Sequence, residues 1–254
     1  MYTIFVVGTA GSGKSTLTSS FSDWLRDQEQ STLLVNLDPA ASSLPYEPDV
    51  DIRDYVDYER IMVTRRLGPN AALIASVREA ARYVEEVAED VDSFNADFVI
   101  VDTPGQLELF AFREEGKILS ENIGGGRRKV MFFILDPVFC ATTKNFVASM
   151  FLAASIYLSF GLPMIQVLNK IDAVPRDYVD RIERWSESID ALIVDAENKL
   201  KGGLIILSRE VAQAVHDIVS SLPIIPASSV TMEGFPELHA LLTRVIGEGE
   251  LELR

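Results

Sequence analysis

Cysteine and histidine are almost missing from this chain. A single cysteine, Cys140, excludes an internal disulfide and fits a reducing cytosol. Two histidines beside it leave too few soft ligands for a dedicated zinc site. Basic charge is scarce too: 23 Lys and Arg face 38 Asp and Glu, a formal net charge of -15. A balance of that sign repels a phosphate backbone and argues against a broad nucleic-acid surface, although backbone amides and one lysine still suffice for a local anion site. No basic residue precedes the first apolar run, so the N-terminus is expected to be mature structure and not a signal peptide, and the setting is expected to be cytoplasmic. A long unbroken apolar run is also absent. Phe146–Leu168 carries no formal charge, but Gly161-Leu162-Pro163 divides it into a helix-like and a strand-like part, so no membrane span is expected. There is no Pro/Gly/Ser-rich linker, repeat or low-complexity block, which makes residues 1–254 one expected domain.

What is present is alternation. Short apolar runs at 2–7, 32–36, 97–102, 130–136, 163–169 and 223–227 read as strands. Helical patterns fall between them at 14–28, 51–60, 71–92, 107–122, 143–160, 179–200 with breaks, 208–221 and 234–247. Strands apolar on both faces, each followed by helix, predict an α/β class: a mostly parallel sheet with helices on both faces, the three-layer P-loop NTPase fold, with a helical insertion at about 44–95. Gly124-Gly125-Gly126 and Gly202-Gly203 read as surface loops, and the tail from Gly247 as frayed.

Gly8-Thr9-Ala10-Gly11-Ser12-Gly13-Lys14-Ser15 is a full G-x-x-x-x-G-K-S between a strand and a helix. Its glycines allow successive N–H groups to face one concavity, so the backbone of Ala10, Gly11, Ser12, Gly13, Lys14, Ser15 and Thr16 is the expected phosphate cradle. Lys14 is placed to reach the β- and γ-phosphates, and the Ser15 hydroxyl to ligate Mg²⁺. Asp102-Thr103-Pro104-Gly105-Gln106 ends a strand: Asp102 suits the Mg²⁺ shell, the Gly105 N–H the γ-phosphate, and Gln106 the attacking water. A solvated helix start is the plainer reading of Gln106. Asn169-Lys170-Ile171-Asp172 follows another strand. A carboxylate at Asp172 can accept both guanine N1–H and the exocyclic amine, Lys170 can lie along the base, and Asn169 can tie loops together. An N–H of Ala227-Ser228-Ser229, with Ser228 central, is placed for guanine O6, though a simple turn accounts for it equally. Asp38, in Asp38-Pro39-Ala40, can reach the metal shell or the water, or can merely start a turn.

Gly68-Pro69-Asn70 is turn chemistry and by itself does not distinguish a corner from a working loop. In the company of GTAGSGKS, NLDPA, DTPGQLELF and NKID, in that order, LGPN resembles the signature of the GPN-loop GTPases over roughly residues 1–230. That resemblance implies Mg²⁺-dependent conversion of GTP to GDP and phosphate, with Lys14, Asp38 and Gln106 catalytic and Ser15, Asp38 and Asp102 around the metal. It implies a homodimer in which Asn70 acts in trans on the partner's nucleotide, and a client such as RNA polymerase subunits, without direct nucleic-acid binding. The chain stops soon after its last predicted helix, as an archaeal-type member would. Two other classes stay open: a nucleotide-gated scaffold with incidental hydrolysis, and a small-molecule kinase, which Asp172 argues against. Arg65, Arg66 and Arg113 are candidate arginine fingers, although a solvated surface charge is the better reading of each.

Overall fold

Side chains alternate across a strand, so a strand apolar at every position needs cover on both faces. The computed structural model, which describes residues 2–199 and 204–248, meets that requirement. Its strands are β1 (Tyr2–Gly8), β2 (Thr32–Asn36), β3 (Val50–Asp51), β4 (Phe98–Asp102), β5 (Arg128–Leu135), β6 (Met164–Leu168) and β7 (Ile224–Pro226). They form one sheet in the order β3-β2-β4-β1-β5-β6-β7, and all neighbours are parallel. The first-half helices are α1 (Lys14–Asp27), α2 (Tyr58–Thr64), α3 (Pro69–Ala80), α4 (Val84–Ser93), α5 (Leu107–Ala111) and α6 (Glu114–Asn122). The second half adds α7 (Pro137–Cys140), α8 (Thr143–Phe160), α9 (Arg176–Glu187), α10 (Ile189–Lys199), α11 (Leu204–Ser221) and α12 (Phe235–Glu248).

The alternation sorts the core into two layers. Ile4, Val6, Ile100, Phe132 and Val167 point to the face covered by α1 and α12, where Phe21, Leu25, Phe235 and Leu242 meet them. Phe5, Val7, Val101, Phe133 and Leu168 point the other way, toward Val87, Phe110, Phe146 and Trp185 of the remaining helices. Removing one such ring, Phe21→Ala, is expected to cost about 3–5 kcal/mol through lost transfer energy and a cavity. Because every strand runs the same way, all strand C-termini share one edge, and the loops there are the natural place for a ligand.

Several boundaries differ from the sequence expectation, each for a local reason. Residues 51–60 are not one helix: Val50–Asp51 returns to the sheet as an edge strand, a 3-10 turn follows, and α2 begins only at Tyr58, capped by Asp57. The excursion between β3 and β4 is therefore shorter than 44–95. The expected helix 107–122 is broken at Phe112-Arg113, because the chain doubles back so closely that a Cβ on Gly116 would lie 1.9 Å from the Phe110 carbonyl oxygen. Gly124 is no surface loop residue; it is buried against Thr3. The uncharged stretch resolves into α8, closed by left-handed Gly161, and β6. Among the described residues no helix is long and apolar enough to cross a membrane. The Gly202-Gly203 loop and the tail beyond 248 lie outside the described residues.

The excursion is an arm of different texture. No residue of α2 is buried. On α3, Leu73 and Val77 pack with Leu109 in a cluster separate from both main layers. An Arg78–Glu115 ion pair of 3.2 Å joins arm to body.

Candidate nucleotide-binding site

The phosphate loop leaves β1 at the central strand position and enters α1. Gly11 and Gly13 adopt φ of 76° and 94°, a region open to glycine and strained for other residues. Gly13 is constrained twice, since a Cβ there would lie 2.5 Å from Asn169 Nδ2. Lys14 is buried, and its ammonium donates to the Thr9 carbonyl at 3.1 Å, lying back over the loop. Burial lowers its pKa, while the nearby carboxylates of Asp102 and Asp38 pull the other way. Thr9, Ala10 and Gly11 are exposed at the tip, and Ser15 and Thr16 open α1.

Asp102 ends β4, next to β1 in the sheet. It is buried, and desolvation pushes its carboxyl up to about 6, with Ser15, Lys14 and Tyr46 drawing it down and Asp38 opposing them. The Tyr46 hydroxyl donates to its Oδ2 at 3.1 Å, whereas Oδ1 is buried without a hydrogen-bond partner. A buried carboxylate oxygen left open beside the Ser15 hydroxyl is the donor chemistry that suits a hard divalent cation. The described residues include no group of three or more His, Cys, Asp or Glu suited to hold a metal unaided. Ser15 and Asp102 therefore fit Mg²⁺ of the kind that takes its remaining ligands from phosphate and water.

Asp38 starts a turn, as its sequence position allows, and also reaches the neighbouring loop. Its Oδ1 accepts the Ala40 N–H at 2.9 Å, a turn before which Asn36 clamps the backbone, and its Oδ2 accepts the Gly105 N–H at 3.4 Å. The amide expected to meet a γ-phosphate thus donates here to a carboxylate. A Cβ on Gly105 would stand 3.7 Å from that of Ala10, so the two loops touch. Gln106 stands at the N-cap position of α5, partly exposed on the rim, without a capping hydrogen bond from its side chain.

At the other end, Asn169 is the keystone. Its amide nitrogen donates to the Ser12 and Gly13 carbonyls at 3.2 and 3.4 Å, and its oxygen accepts the Ser229 N–H and hydroxyl at 3.1 and 2.7 Å. Lys170, in the left-handed region at φ 63°, donates to the Gly11 carbonyl and to Asp136 Oδ2 at 3.0 Å. Asp172 is exposed, and its Oδ1 accepts the Ser228 hydroxyl at 2.5 Å. The Ser228 and Ser229 N–H groups are already engaged by Glu233 O and Asn169, so what this turn brings to the base side is the Ser228 hydroxyl on Asp172.

Nearly all expected residues thus converge at one sheet edge. Asn70 does not: it is exposed at the start of α3, and no hydrogen bond among the described residues ties it to the pocket. Arg65 pairs with Glu79 at 3.2 Å, and Arg66 is exposed on the arm's tip. Sequence reasoning missed the roles of Tyr46, Asn36 and Asp136. Asp136 carried a readable signal, an acidic residue ending a strand at the ligand edge; Tyr46 carried none.

A glycine-rich strand–loop–helix with an inward lysine, flanked by a strand-end carboxylate on a parallel sheet, defines a P-loop nucleotide-binding protein. The sequence model of a family described as "Conserved hypothetical ATP binding protein" matches residues 6–248. GPN-loop GTPase PAB0955 of Pyrococcus abyssi is 32% identical over 242 residues, covering 94% of each chain. A crystal structure described as that GTPase in apo form superposes with a TM-score of 0.83, at 32% identity over 95% of each chain. GPN-loop GTPase 1 of Saccharomyces cerevisiae is 31% identical, matching 97% of this chain and 66% of its own length. GPN-loop GTPase 1 of Dictyostelium discoideum is 32% identical, with 59% of its length matched, so the chain spans about two thirds of these eukaryotic relatives. The chain belongs to the GPN-loop GTPase family.

Proposed function

We propose that the protein binds GTP with Mg²⁺ and hydrolyses it to GDP and phosphate, working as a dimeric nucleotide switch. The observation that carries this reading is the Asn169 bridge, which locks the phosphate loop to the Asp172 side of the pocket. In this scheme Lys14 and the amides of residues 10–16 hold the phosphates. Asp172, oriented by Ser228, accepts guanine N1–H and its exocyclic amine; adenine offers an acceptor there instead, a mismatch of the kind that rejects strongly. This is the argument for guanine despite the family description's mention of ATP. Ser15 and Asp102 would hold the metal, which would supply positive charge to offset that developing on the phosphates. Gln106 and Asp38 orient a water that attacks the γ-phosphorus as its bond to the bridging oxygen breaks. The γ-phosphate competes with Asp38 for the Gly105 N–H, so arrival of GTP frees that carboxylate to turn toward water.

Dimerisation belongs to the proposal too, with Asn70 reaching the partner's nucleotide. So do a cytoplasmic setting and a client in the assembly of a multi-subunit complex such as RNA polymerase. The Asp38–Gly105 contact favours a second reading, in which the nucleotide mainly sets the shape of a scaffold. Comparing solution shape with GDP and with a non-hydrolysable GTP analogue, alongside multiple-turnover hydrolysis, separates the two. The primary reading is tested by Lys14→Ala, expected to abolish nucleotide binding, against Gln106→Ala, expected to retain it and lose turnover by about a hundredfold. Equal loss of binding in both, or ATP competing as well as GTP for the wild-type pocket, would overturn it.

A further inference from the structure

The acidic and aromatic stretch Tyr46–Tyr58 reads from its sequence as a solvated helix edge, yet Tyr46, which lies between β2 and β3, turns inward. Its ring packs against the layer formed by α1 and the sheet, and its hydroxyl donates to Asp102 Oδ2 at 3.1 Å, across 56 residues of chain. The flanks of Tyr46 are pinned on both sides. The Pro45 carbonyl accepts the Ser19 hydroxyl of α1 at 3.4 Å, and Asp49 grips Leu34 of β2 through its carboxylate at 2.7 Å and its own N–H at 2.8 Å. The phenol is thus held in place by two independent elements.

The two oxygens of Asp102 have different fates: Oδ2 is taken by the phenol, and Oδ1 is buried and open. A carboxylate with one oxygen tied can no longer rotate freely, so the other is aimed. We infer that Tyr46 is a positioning residue for the metal: its hydroxyl fixes the Asp102 carboxylate so that Oδ1 faces the cation site shared with Ser15. This inference rests on the Mg²⁺ reading above. Hydrogen-bond partners that orient a metal-site carboxylate typically affect metal affinity by about ten- to a hundredfold. Tyr46 sits on the same stretch as Asp38, so an ordered 45–50 segment and a metal-ready Asp102 come together.

The test uses GDP carrying a fluorescent label on the ribose, with the wild type, Tyr46→Phe and Tyr46→Leu. Release of the nucleotide is timed in EDTA and across a series of free Mg²⁺ concentrations, and each protein is melted in the nucleotide-free state. In the wild type Mg²⁺ should slow release. Tyr46→Phe keeps the ring and should match the wild type in EDTA and in melting, while its half-effective Mg²⁺ concentration rises about tenfold. Tyr46→Leu, which loses the ring as well, should add a lower melting temperature. A Tyr46→Phe titration superimposed on the wild type would reduce Tyr46 to a packing residue and overturn the inference. So would a release rate in EDTA altered as much as the rate in Mg²⁺. Absence of any Mg²⁺ effect in the wild type is a separate result, which would overturn the metal reading and this inference with it.

Discussion

The pocket and the arm are built by opposite means. In the pocket, short motifs far apart in sequence are bonded to one another: Ser12 to Asn169, Asn169 to Ser229, Tyr46 to Asp102, Asp38 to Gly105. On the arm, Gly68-Pro69-Asn70 is exposed and makes almost no demands on its own chain. Gly68 has an ordinary φ of -72°, and a Cβ added to it would meet nothing within 4 Å. The left-handed residue that turns the chain is Arg66, at φ 51°. A glycine in the pocket is required by its neighbours; the glycine of the tip is not required by anything this chain supplies. The trans role proposed for Asn70 would give the tip a demand that its own chain does not make.

Four tests break or sharpen the contrast. Gly13→Ala attacks the pocket where a methyl would strike Asn169 in a strained backbone region; nucleotide affinity should fall by about a thousandfold in a titration with labelled GDP, since phosphate and base sides fail together. Retained affinity would mean the two sides are not coupled. Asp102→Asn probes the burial of charge. A carboxyl raised to about 6 by burial weakens the native state above that pH, and the penalty fades as pH falls toward the unfolded value near 4. The nucleotide-free variant should therefore be more stable at pH 7 by about 2 kcal/mol in denaturant unfolding, with the gain shrinking toward pH 4. Gly68→Ala and Asn70→Ala test the arm: stability and the first nucleotide's affinity should stay as in the wild type, while kcat drops about tenfold if the tip serves a partner's site. Mixing Asn70→Ala with Lys14→Ala chains should then restore part of the activity, a result a purely local role would not give. Smallest is the Arg78–Glu115 link, partly exposed, whose double-mutant coupling should not exceed about 0.5 kcal/mol.

Legibility followed the same division. The parallel sheet, the phosphate loop and the strand-end motifs could be read because each is a local pattern with a single geometric meaning. Position in the fold then came almost free: a motif ending a parallel strand must lie at the common edge. What could not be read were contacts between distant segments. Nothing in the acidic run around Tyr46 announces an inward phenol, and nothing near Phe112 warns that Gly116 must pass the Phe110 carbonyl. The expected helix at 51–60 failed because a two-residue edge strand, β3, carries too few residues to show a period. The amide role given to the Ser228 turn missed because sequence cannot tell which donors are already engaged; Glu233 and Asn169 take them.

The Asn169 bridge also has a meaning in time. Its partners are made far apart in time, because Ser229 follows Ser12 by more than two hundred positions. During translation, at about 5–20 residues per second, the phosphate loop therefore waits roughly ten seconds or longer for the residue that clamps its keystone. A nascent chain with β1 to β6 in place still holds Asn169 by one side only. The clamp on the phosphate loop is therefore complete only once β7 and the turn after it have been made.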